Sequence, residues 1–87
     1  MLEEYLGEKV VVDLKSPFVC LGTLTRADEH YLEVKAADFH DLRDTDTTRE
    51  NYVAASVATG VKRNRKKVLL FRAEVVAISR LADVSDL

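Results

Sequence analysis

A single cysteine, Cys20, leaves the chain without an internal disulfide, so nothing covalent staples its 87 residues together. That agrees with a reducing compartment. Glycine is almost as sparse. Gly7, Gly22 and Gly60 are the three in the chain and stand far apart, which excludes the clustered glycine loop that cradles a nucleotide phosphate. No apolar run approaches the length needed to cross a bilayer, and Met1-Leu2-Glu3-Glu4 has neither the basic start nor the apolar core of a signal peptide. A cytoplasmic protein with no membrane association is expected. The net charge of −2 says little about partners.

The inventory for chemistry is equally thin. Ser16, Ser56, Ser79 and Ser85 have no nucleophile elbow around them, and Asp44-Thr45-Asp46 lacks the glycine and terminal glutamate of a calcium loop. His30 and His40 stand near Asp28, Glu29, Asp38 and Asp41, but at spacings that match no metal motif; aspartates beside turns more often cap backbone N–H groups. Cys20 shares a strand face with Phe18 and Leu24, which reads as a small buried hydrophobe rather than a nucleophile. No enzyme, metal or cofactor is expected.

What is present is the composition of one folded domain, residues 1–87, with 47% apolar and 32% charged residues. A chain this short buries only about 60–65% of its unfolded surface, so association with copies of itself would supplement a marginal core. Residues 6–34 organise the rest. Val10, Val12 and Leu14 alternate with Val11, Asp13 and Lys15, the period of a half-buried strand. Pro17 ends it, having no N–H to give to a ladder. In the next strand Phe18, Cys20, Gly22 and Leu24 share one face, with Val19, Leu21, Thr23 and Thr25 on the other, and the mid-strand glycine predicts a sharp bend. Residues 26–30 are polar and turn the chain into a third strand over 31–36. Leu2, Tyr5 and Leu6, with acids nearby, predict a short N-terminal helix ended by Gly7.

Leu6, Gly7, Val10, Val12 and Leu14, followed by Gly22, Leu24, Asp28 and His30, form a pattern that resembles the first motif of the Sm and Sm-like family. Residues 68–79, an apolar run, then Arg72-Ala73-Glu74, then a second apolar run, resemble its second motif in weakened form. The resemblance implies a mostly β fold: a small, strongly bent, five-stranded antiparallel barrel of SH3-like type, with a short helix across its open end. It also implies a homo-oligomeric ring, in which the strand at 68–71 of one copy pairs with the strand at 75–78 of the next and so removes the exposed edges of an open sheet.

Between the motifs the composition shifts. Residues 38–50 are rich in acids and threonine and read as an exposed excursion. Thr47 and Glu50 have capping-box spacing, so a helix is expected over 51–59, with Gly60 at its left-handed C-terminal cap. Strand is the competing reading, since Tyr52, Val53 and Val57 favour it. Lys62, Arg63, Arg65, Lys66 and Lys67 then crowd five cations into six residues before the fourth strand. They read either as a phosphate-contacting patch or as a solubilising entry that offsets the acidic block. No aromatic residue is interleaved with them, so base stacking there has no support in the sequence.

The family's RNA pocket maps onto this chain in part. The resemblance puts His30 at the position that stacks on a base, Arg72 at the stacking arginine and Asp28 at the residue that orients the loop. Leu32 stands where the family has an asparagine that reads the base edge, and a leucine cannot. Ala73 replaces a glycine, a change costing about 1 kcal/mol if the backbone there must be left-handed. Two functions follow: a ring binding single-stranded RNA with weak base selectivity through Asp28, His30, Arg72 and the basic run, or a ring-forming scaffold that meets other proteins and binds no RNA.

Overall fold

The alternation at the N-terminal end becomes strand β1, Lys9–Leu14, in a computed structural model that describes residues 1–44 and 47–84. Four more strands follow: β2 (Phe18–Ala27), β3 (Tyr31–Asp41), β4 (Arg65–Phe71) and β5 (Val75–Arg80). They form one antiparallel sheet in the order β4-β3-β2-β1-β5, so β1 lies between its hairpin partner and the last strand, and β4 and β5 are the two edges. No helix among the described residues is long and apolar enough to cross a membrane.

The pleat sorts the apolar residues onto two sides. Val10, Val12, Cys20, Leu24, Leu32 and Val34 are fully or almost fully buried in the main core. Val11, Val19 and Leu21 point the other way, into a second cluster completed by Val53 and Leu81. Each fully buried leucine or valine contributes about 1.5–3 kcal/mol. Gly22 is where the sheet bends. A Cβ there would stand 2.7 Å from Val34 Cγ1 and 2.9 Å from the Lys35 carbonyl oxygen, so only glycine admits the close approach of β3. The strands lose register beside it, between Leu21 and Thr23, and Ala36 opposite takes a φ of +50°.

The helix reading of 51–59 holds, with an earlier start and the same last residue. Helix α1 spans Arg49–Thr59, and its cap is Thr48, whose hydroxyl accepts from the Asn51 amide at 3.1 Å. The expected capping pair of Thr47 with Glu50 is therefore displaced by one residue, and no glutamate stands at the reciprocal position. Gly60 closes the helix with φ +91° and ψ 165°, a positive-φ extended conformation rather than the left-handed helical one expected. α1 lays Val53 on the second cluster and is pinned to β1 by Arg49 Nη1, 2.8 Å from Asp13 Oδ1.

Several expectations are corrected. The N-terminal helix is one 3₁₀ turn, Leu2–Tyr5. Residues 38–41 are not an exposed excursion: β3 runs on to Asp41, and Asp38 is only 4% exposed because Asn64 receives it from the other side. β4 begins inside the basic run, at Arg65. Leu69, Phe71 and Val76 on the two edge strands are exposed in the single chain. After β5 a 3₁₀ turn, Leu81–Asp83, docks Leu81 in the second cluster. Thr45, Asp46 and Ser85 lie outside the described residues.

Candidate nucleic-acid interface

Two turns meet at one end of the sheet. Between β2 and β3, Asp28 Oδ1 accepts from the amides of both His30 and Tyr31 at 2.8 Å. Those two bonds hold the Asp28 carboxyl below the usual aspartate range. Between β4 and β5, the 3₁₀ turn Arg72–Glu74 brings the Arg72 amide to the His30 carbonyl at 2.8 Å, while its guanidinium Nη1 donates to the Asp28 carbonyl. Asp28, His30 and Arg72 therefore share one exposed rim. Ala73 sits in that 3₁₀ turn and Ala36 is the sole non-glycine with positive φ among the described residues, so the left-handed backbone that would penalise alanine is absent.

A hollow opens on each side of the rim. One, of about 400 Å³, is walled by Tyr5, Leu32, Arg72, Val75 and Ile78 under the N-terminal turn. Leu32 is 1% exposed and belongs to the main core, so it gives this hollow an apolar floor and no hydrogen-bonding edge. The other, of about 310 Å³, lies over β2, β3 and β4 and is lined by Arg26, Asp28, Tyr31, Glu33, Lys67 and Leu69. Glu33 is held ionised there by the Thr25 hydroxyl, 2.8 Å from Oε1, with Arg26 at 3.9 Å.

The basic run does not act as one patch. Lys67 faces the rim-side hollow. Arg63, Arg65 and Lys66 gather instead with Lys35 about a separate cleft, and Lys62 acts electrostatically on Asp38, whose carboxyl burial pushes above the ordinary value. Two contributors carry no local sign in the sequence. Lys35 comes to the cations only because it pairs with Lys67 across the ladder, and Tyr31 meets Phe71 the same way, their rings 5.3 Å apart. Aromatic residues thus flank the cations across the strands rather than along the chain.

Elsewhere the side chains are structural. Cys20 is fully buried, and burial pushes its thiol up to about 12, well away from a thiolate. His40 stacks on Tyr52 with centroids 4.2 Å apart, joining β3 to α1. Among the described residues no three His, Cys, Asp or Glu side chains group closely enough to hold a metal ion.

No family model and no curated protein matches the chain. Solved structures do match it. The Sm protein of Pyrococcus abyssii, in a structure with a uridine heptamer, aligns with 91% of this chain and 90% of its own at a TM-score of 0.62 and 22% sequence identity. The chain has the Sm-like fold, as its two motifs imply.

Proposed function

We propose that this protein closes into a homo-oligomeric ring and binds single-stranded RNA at the rim of Asp28, His30 and Arg72, with weak choice among bases. The observation that carries the reading is the tie between the Arg72 amide and the His30 carbonyl, which holds an imidazole and a guanidinium at one edge. Both groups stack on bases. The fold neighbour was solved with a uridine heptamer, which supports RNA as the ligand class. Leu32 offers no edge contact, so stacking and charge remain, and both tolerate any base. Lys67, on the hollow beside the rim, supplies phosphate attraction.

The ring rests on the sheet edges. β4 and β5 each lack a neighbour on one side, and Leu69, Phe71 and Val76 on them are exposed. Pairing β4 of one copy with β5 of the next satisfies both edges and covers apolar surface. Sedimentation at micromolar concentration is expected to show no major monomer.

Titration of oligo-U and oligo-A at low salt tests the RNA reading. Similar affinities that fall steeply with added salt are expected. Absence of binding to either oligomer leaves the second reading, a ring-forming scaffold, which the apolar Leu32 and the engagement of Arg72 with Asp28 favour.

A further inference from the structure

Four cations face a cleft remote from the rim. Lys35 of β3 and Arg63, Arg65 and Lys66 at the start of β4 line a space of about 520 Å³, with Ala36 and Asn64 between them. All four are exposed, and none forms an ion pair among the described residues. Glu33, which feels the charge of Lys35, is already engaged by Thr25 and Arg26. Like charges gathered without a counter-charge repel one another, and an anion in the cleft relieves that repulsion.

The cleft is held open by its own framework. The Asn64 amide donates to the Ala37 carbonyl at 2.8 Å, and its side-chain Oδ1 accepts from the Phe39 amide at 2.9 Å. Its Nδ2 donates to the Phe39 carbonyl at 3.0 Å and to Asp38 Oδ1 at 3.1 Å. The backbone that carries Arg63 and Arg65, on either side of this fastened residue, is therefore set before any ligand arrives, which lowers the ordering cost of binding. β3 also carries one residue more than β2 between the pairs Leu21–Asp38 and Thr23–Lys35, and the extra residue includes the positive-φ turn at Ala36. A methyl group there leaves the space between Lys35 and Lys66 unfilled.

We propose that this cleft holds the phosphodiester backbone of a single-stranded nucleic acid, as an anchor indifferent to base identity; the ligand class rests on the RNA reading above. The cations are spread rather than focused on one point. Arg63 and Arg65 are alternate residues, roughly 6–7 Å apart in extended chain, a spacing that suits successive phosphates of a stretched strand better than one free phosphate ion. β4, Arg65–Phe71, separates this cleft from Arg72 by roughly 20 Å of extended chain, so the anchor and the rim are distinct contacts.

An oligonucleotide of abasic sites, which has phosphates and no rings to stack, isolates the cleft. The protein is expected to bind it at low salt, and Lys35→Ala/Arg63→Ala/Lys66→Ala to weaken it at least tenfold with a flatter salt dependence. Arg63→Ala alone is expected to weaken it about threefold, which covers the case of a misfolded triple variant, as judged by its melting curve. Unchanged affinity in either variant overturns the proposal. So does displacement of the abasic strand by tripolyphosphate at equal phosphate concentration, which would assign the cleft to free phosphates. Arg72→Ala separates the two sites: it is expected to weaken oligo-U and to change the abasic strand less than twofold. Failure of the rim reading appears as oligo-U binding insensitive to Arg72→Ala, and failure of the anchor as abasic-strand binding insensitive to the cleft substitutions.

Discussion

The backbone amide of Arg72 donates to the carbonyl of His30 at 2.8 Å, so beside the guanidinium bond to the Asp28 carbonyl the β4–β5 turn is fastened to the β2–β3 turn by a main-chain bond that needs neither side chain. Their side chains can therefore be replaced without releasing the rim. Arg72→Ala and His30→Ala are each expected to remain folded and to bind oligo-U and oligo-A about tenfold more weakly, the loss of one stacking partner. Arg72→Lys, which keeps the charge but not the planar face, should fall between. Fluorescence anisotropy at low salt distinguishes these outcomes, and equal affinity across the set would remove the rim from the binding surface.

Gly22→Ala tests the bend. The new methyl would stand 2.7 Å from Val34 Cγ1 and 2.9 Å from the Lys35 carbonyl oxygen, and the latter is backbone that cannot swing aside. A loss of about 1–3 kcal/mol is expected in urea unfolding, and Gly22→Val should lose more. A neutral Gly22→Ala would mean that β3 relaxes away at little cost.

Asn64→Ala removes both bonds to the Phe39 backbone and the bond to Asp38. Asp38 is then left buried with one partner fewer. A destabilisation of about 1–3 kcal/mol is expected, with faster hydrogen exchange at the Phe39 amide as the local readout.

Asp38→Asn should do the opposite at neutral pH. Burial raises the folded-state pKa of Asp38 above its ordinary 3.8, against the smaller opposing pull of His40 and Lys62, so the ionised carboxylate costs stability. Asparagine keeps an oxygen for Asn64 and carries no charge. The variant is expected to melt higher than the parent at pH 7, and the gap should shrink as pH falls through the raised folded value toward 3.8, where Asp38 takes up its proton in the folded state first. Melting curves across that range check the sign.

The strands around residues 10–14 and 18–24 were legible because a period of two needs no partner to be seen. Asp38 was not, since an acid interrupts an apolar pattern and the residue that accommodates it, Asn64, arrives from a distant part of the chain. The helix cap slipped between two adjacent threonines of identical chemistry, and only the backbone at Thr48 chooses between them. Asp28, His30 and Arg72 were legible as motif positions. Lys35 and Tyr31 escaped because their closeness to Lys67 and Phe71 is a matter of register, which local sequence does not encode.

β1 pairs on one side with β2, its immediate successor, and on the other with β5, the last strand of the described chain. During synthesis its second flank therefore stays bare until residues 75–80 have left the ribosome, and Val10 and Val12, which are 0% exposed in the finished protein, wait beside an unpaired edge. The closing contact is the one of greatest sequence separation, which slows folding and lengthens the interval in which that edge can meet another nascent copy. A chain halted before β5 should accordingly be held by chaperones or aggregate, and completion of that strand is the step that closes the sheet around β1.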